Sequence, residues 1–313
     1  MTATSVPIAR DRTSPRGAWA AGGRLRRMLA LLPFLAPVHV LLAAVIVLPA
    51  LYVFWLSLNV SSFGQAPSFV GLANYHKVLS DPAFRDALLN TSLIVLFAVH
   101  LELAVALGMA LLFVGPMPMK RVLLVAVLAP YAISEVTAVA MWRFLFDADI
   151  GPVTLALKGL GLPILDWSFE PAHGLAIVGL LTIWLHLPFT FVILYAARLA
   201  IPAELYEAAR VDGANRLHQF HHVTLPLLGP AILIALLFRY IFAFRLFSEV
   251  WLMTGGGPAR QTEVAAVYLY QEAFRYNAFG TASATAWIMV VISLVLAGGY
   301  ALLLRRSGGA GAH

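Results

Sequence analysis

The sequence predicts an all-α integral membrane protein with six membrane-spanning helices. Of its 313 residues, 61% are hydrophobic and only 12% are charged, well under the roughly 25% charge of soluble domains. Six apolar runs each reach the roughly 20 residues that a bilayer crossing needs. The charges between those runs also sort the connecting segments onto two sides of a membrane.

The runs lie at about 32–58, 88–114, 122–146, 174–197, 228–253 and 279–304. The first follows a basic tail, residues 1–31, that carries Arg10, Arg12, Arg16, Arg24, Arg26 and Arg27. That run is too long for a signal-peptide core and no small-residue cleavage site follows it, so it is expected to be retained. The tail, residues 115–121, residues 198–226 and the C-terminal tail, 305–313, together carry 13 Lys/Arg and four acids, whereas the opposite loops carry six and eight. By the positive-inside rule both termini are expected in the cytoplasm, with the 32–304 domain between them. The net charge of +6 is therefore a topology signal and implies no nucleic acid partner. The chain has no cysteine, which excludes disulfides and thiolate metal sites.

On the outer side, Thr254, Gly255, Gly256, Gly257 and Pro258 are expected to stop the fifth helix. Residues 147–170 leave room for a short surface helix. On the inner side, residues 201–226 form the one polar insert in an otherwise apolar chain. Pro202 suits a helix first turn, and Leu205, Ala208 and Ala209 recur at helical spacing, with Glu204, Glu207 and Arg210 around them. Gly213 is expected to end that helix in a left-handed turn and Asn215 to cap a second short one. Leu225–Pro226 is expected to restrict the backbone just before the fifth span. The surface so formed permits close approach by a partner helix. An ordinary solvated connection would share several of these features.

Glu207, Ala208, Ala209, Gly213, Leu225 and Pro226 resemble the Glu-Ala-Ala, three residues, Gly, nine residues, Ile-x-Leu-Pro signature of membrane subunits of binding-protein-dependent ABC importers. Val223 stands where isoleucine is commoner. The likeness extends to Asn90–Thr91 at the start of the second span. It also takes in Leu252–Pro258, which looks like the first of the two permeases in carbohydrate importers of the maltose and glycerol-phosphate type. The resemblance implies a type I importer permease in a bacterial cytoplasmic membrane, coupled to an ATPase through the 207–226 hairpin. It implies as partners a second, related permease, two copies of a cytoplasmic ATPase subunit that hold ATP and Mg, an extracytoplasmic solute-binding protein, and a sugar-like solute. A non-sugar solute such as glycerol phosphate, or an ion-coupled secondary transporter, is the alternative reading.

The chain itself is not expected to be an enzyme or to bind a cofactor. None of Lys77, Lys120 and Lys158 is preceded by glycine or followed by Ser or Thr, so a phosphate loop is absent, as are His-Glu-x-x-His and Gly-x-Ser-x-Gly. His218, His221 and His222 have metal-like spacing, but on a basic hairpin they read as a solvated face. Glu102, Glu135 and Arg239 fall in mid-span, where a charge costs about 2.5–3.5 kcal/mol and must meet a partner or a wet cavity. They are candidates either for internal pairing or for the solute path, together with the aromatics Trp184, Phe189, Tyr240 and Phe244. Arg245 and Glu249 are four apart and suited to pair with each other. Gly280, Ala282, Ala284 and Ala286 offer a small-residue face for close helix contact.

Overall fold

In the computed structural model, residues 18–309 are described, and they divide into two compact units between Trp55 and Leu56. The arginines at 10, 12 and 16, and residues 310–313 of the C-terminal tail, lie outside the described residues. The described part of the first unit lies within the long helix α1 (Ala18–Ser57). Its stretch Ala36–Ser57 is long and apolar enough to cross a membrane.

The second unit opens with a two-residue antiparallel ladder, β1 (Asn59–Val60) on β2 (Ser68–Phe69), which the sequence pattern did not signal. Helices α2 (Ala73–Ser80) and α3 (Pro82–Leu112) follow. Asp81 caps α3 by accepting from the Ala83 amide at 2.9 Å, and Pro82 sits where a missing N–H costs nothing. Helix α6 (Pro152–Gly159) is the short helix anticipated within residues 147–170. Helix α7 (Pro171–Leu199) lies along α3. The contact is close because α3 presents Ala98, Ala106 and Ala110 there, all fully buried.

The third apolar run departs from the expected single rod. It is α4 (Lys120–Leu128), a 3₁₀ turn at Ala129–Ala132, and α5 (Glu135–Leu145), bent by 105°. Pro130 removes a backbone donor within the turn, and Ser134 starts α5 afresh by accepting from the Thr137 amide. Composition stays apolar across the break, so hydropathy alone reads one helix. Among the described residues, five helices are long and apolar enough to cross a membrane, or six if this bent pair is one span.

The fifth run is also divided. Helix α8 (Ala203–Val211) forms the first arm of the hairpin, and α9 (Arg216–Gln219) continues through a π turn at Phe220–Thr224 into α10 (Leu225–Ala243). Helix α10 ends ten residues before the expected limit. Tight bonds from the Arg245 amide to Phe242 O and from the Leu246 amide to Ala243 O, each 3.1 Å, turn the chain into α11 (Ser248–Met253). Glycines 255 and 256 stop α11 with φ of +64° and +84°. Helix α12 (Ala265–Tyr270), a π turn at Gln271–Arg275 and α13 (Phe279–Gly309) complete the chain.

The small residues that open α13 are used within this chain. A Cβ on Gly280 would sit 2.1 Å from the Asn59 carbonyl oxygen, and Ala284 packs with Tyr268 and Phe84. The main core lies where Ile94, Ile177, Leu181, Val250 and Val267 converge between α3, α7, α11 and α12.

Candidate functional site: a hairpin joined to an intramembrane cavity

The hairpin takes the geometry its residue types dictate. Helix α8 ends with Ala214 N–H bonding the Ala209 carbonyl at 2.9 Å and Gly213 N–H bonding the Arg210 carbonyl at 3.0 Å. This is a Schellman closure around Gly213, whose φ is +80°. Asn215 then caps α9 by accepting from the His218 amide at 2.8 Å. Pro202 is the residue before α8 rather than its first helical residue.

Leu225–Pro226 does not separate the hairpin from the span, contrary to expectation. Leu225 is helical, with φ −64° and ψ −44°, and its amide bonds the Phe220 carbonyl five residues back. The wider π turn accommodates the proline without breaking the helix. Arg216–Ala243 therefore forms one continuous 28-residue rod.

No residue of α8 is buried. Glu207, Ala208, Leu205 and Val211 are all exposed, Val211 at 88%. Arg210 pairs within the helix, 3.8 Å from Glu207. This is an exposed face with apolar and charged positions side by side. His218 and His222 stack at 3.9 Å between ring centroids, and among the described residues no group of three metal-ligating side chains comes together.

The other end of the rod meets a cavity of about 500 Å³ bounded by the 3₁₀ turn, α5, α7, α10 and α11. Two of the predicted pathway residues, Glu135 and Arg239, line it, as does Phe189. His186 and Glu249 face each other there, Nε2 to Oε1 at 3.6 Å. Arg245, Ser248, Tyr131 and Thr182 complete its polar wall, and among the described residues the Thr182 hydroxyl has no hydrogen-bond partner.

The remaining predicted pathway residues lie elsewhere. Glu102 is fully buried and holds Arg239, with Nη2 at 2.6 Å and Nε at 2.8 Å from the same carboxylate oxygen. Thr190 donates to the other oxygen. Trp184 packs against Trp142 at 5.9 Å. The Tyr240 hydroxyl lies 3.3 Å from His100 Nδ1, and Phe244 is buried in the cluster with Tyr268. These three point away from the cavity because α7 and α10 turn only part of their circumference to it. Glu249 faces His186, not Arg245, because the chain breaks between 244 and 247 and removes the helical four-residue relation. His186 carried no pattern by itself, since its partner comes from across that break.

The loop 255–265 is tied to the second span by the residues singled out there. Asn90 donates to the carbonyls of Gln261 and Glu263, both at 2.9 Å, and Thr91 Oγ1 accepts from the Ala265 amide at 2.9 Å. Arg260 makes a two-pronged bond to Glu263, which holds its guanidinium charged beyond its ordinary range. Tyr268 donates to Asp81 at 2.7 Å; burial and that bond push its hydroxyl pKa up. Glu272, beside them, has its carboxyl pushed up chiefly by burial.

Residues 27–308 match the family model of the binding-protein-dependent transport system inner membrane component. Among curated relatives, the sulfoquinovosyl glycerol transport system permease protein SmoG of Agrobacterium fabrum is 36% identical, over 89% of this chain and 91% of its own length. The trehalose/maltose transport system permease protein MalF of Thermococcus litoralis is 32% identical, over 85% and 89%. The trehalose transport system permease protein SugA of Mycobacterium tuberculosis is 31% identical, over 95% and 94%. A crystal structure of a bacterial alginate ABC transporter in complex with an alginate pentasaccharide-bound periplasmic protein superposes with a TM-score of 0.78. That match covers 91% of this chain and 96% of that one, at 21% identity, a likeness of fold. The motif, the span architecture and these matches agree: the chain belongs to the inner-membrane components of binding-protein-dependent transport systems, the multi-pass permeases of ABC importers.

Proposed function

We propose that this permease carries a sugar or sugar-like solute across the cytoplasmic membrane by alternating access, driven by ATP hydrolysis on separate subunits. The observation that carries the mechanism is the unbroken Arg216–Ala243 rod. Its inner end belongs to the exposed hairpin, and its outer end supplies Arg239, Phe242 and Ala243 to the cavity. At 1.5 Å per residue it spans about 42 Å. A displacement imposed at the hairpin is therefore delivered to the cavity wall as a rigid-body motion.

The cargo reading rests on the wall chemistry and on the names of the relatives. Sugar hydroxyls need acceptors and donors in fixed positions, which Glu135, Glu249, His186 and Ser248 can provide. Ring C–H faces need an aromatic surface, which Phe189 and Tyr131 can provide. The volume falls in the roughly 300–1,000 Å³ range of small-molecule sites. In this reading both termini face the cytoplasm, Glu207, Ala208, Ala209 and Gly213 dock an ATPase subunit, and a second permease completes the path. An external binding protein delivers the solute, and ATP and Mg stay on the ATPase.

The test is solute uptake into proteoliposomes holding the purified assembly, its binding protein and internal ATP. Uptake should require ATP and fail with Gly213→Pro while membrane insertion is unchanged. Uptake by this chain alone on an ion gradient would refute the proposal.

A further inference from the structure

A second cleft, of about 980 Å³, opens beside the hairpin next to the C-terminal ends of α3 and α7. Arg198, Arg210 and Arg216 line it, with Glu204 the one acid among the lining residues. Arg198 belongs to the last turn of α7, and its guanidinium lies 4.3 Å from the centroid of the Tyr206 ring. Tyr206 is itself fixed by a 2.9 Å bond to Thr224. The stack leaves Arg198 Nε buried with no hydrogen-bond partner among the described residues. Val114, Leu199 and Ile201 form an apolar lip.

We propose that this cleft binds the phosphodiester headgroup of an anionic phospholipid, with Arg198 and Arg216 as the main donors and Arg210 supporting them. The inference rests on the membrane topology proposed above, which puts the ends of α3 and α7 at the cytoplasmic headgroup level. Guanidinium groups match phosphate oxygens in a two-pronged geometry, and basic pockets between spans at that level suit anionic headgroups. A lipid fits better than an acidic side chain of a partner subunit. The space far exceeds one carboxylate, and the apolar lip continues the lipid-facing ends of two spans, where acyl chains already lie.

The test uses the whole assembly with its partner subunits, in phosphatidylcholine nanodiscs titrated with phosphatidylglycerol, and reads retained phosphatidylglycerol by native mass spectrometry. A saturable site is expected, weakened about fivefold by Arg198→Gln and again by Arg216→Gln, since each surface arginine contributes about that factor to anionic lipid binding. Arg216 is exposed, so its variant decides the matter even if Arg198 variants fail to fold. Unchanged retention in the variants would overturn the proposal. So would equal competition by inorganic phosphate, or loss of the ATPase subunit with lipid retention intact. Lost sugar uptake with lipid retention preserved would count against the transport proposal alone.

Discussion

Glu102 of the second span and Arg239 of the fifth meet at 2.6 Å with side chains 0% and 3% exposed. They form a closed charge pair at the back of the cavity, with only Arg239 reaching its wall. Removing one member of such a pair leaves an uncompensated buried charge, at about 3–5 kcal/mol, whereas replacing both is far cheaper. Glu102→Gln is therefore expected to destabilise the assembly strongly, and Glu102→Gln/Arg239→Gln to recover much of the loss. Thermal unfolding in detergent measures both; a double variant no more stable than Glu102→Gln would show that the pair is not what holds these spans.

The cavity separates binding from packing. Glu249→Ala and Glu135→Ala should raise the transport KM roughly tenfold, the cost of about 1.4 kcal/mol for a lost polar contact. Trp184→Phe, at a side chain outside the cavity, should leave the KM within about twofold. Initial rates of uptake against solute concentration give the comparison, and a reversed order would relocate the binding surface.

Gly213 has open space where a Cβ would stand, so a substitution there meets only the left-handed backbone cost of about 1–2 kcal/mol. Gly213→Ala should weaken ATPase co-purification and uptake in parallel without changing insertion. Gly213→Asn, which tolerates that conformation better, should be milder. Equal effects would show that backbone handedness is not the requirement.

Asn90→Ala removes both bonds to the 261–263 backbone. Amides of residues 260–265 are expected to exchange faster with solvent, and the protein to lose about 1–3 kcal/mol. Hydrogen exchange followed by mass spectrometry reads this segment directly.

Glu272 is held above its ordinary pKa by burial. Its native form therefore takes up a proton at a higher pH than the unfolded chain does, so its contribution is most favourable below about pH 4.3 and declines as pH rises through the native value. Glu272→Gln should raise the melting temperature at pH 8, with the gain shrinking as pH falls towards 4. A gain independent of pH would assign the effect to something other than titration.

Much of this was legible in the sequence. The hairpin could be read almost residue by residue because Gly213 and Asn215 act through local backbone geometry. The 254–258 run marked a helix stop for a similar reason, whereas Asn90–Thr91, whose bonds to residues 261–265 join distant parts of the chain, stood out only through the family resemblance. The breaks at Ala129–Ser134 and Phe244–Phe247 were not legible, since both flanks are equally apolar, although Pro130 and the Ser134 cap were signals available there. Those breaks created the cavity and the His186–Glu249 meeting, so the site was legible only in part. Buried aromatics such as Tyr240 and Phe244 resemble stacking residues until the face of the helix is known.

The unbroken rod from Arg216 to Ala243 also fixes an angular phase. Each residue of an α-helix advances its neighbours by about 100°. One residue inserted between Pro226 and Arg239 would leave the hairpin intact and swing the Arg239 side chain away from Glu102 by over a quarter turn. The length of that stretch is thus as constrained as its composition: drift can change its side chains one at a time, but a single-codon insertion or deletion would uncouple one end from the other.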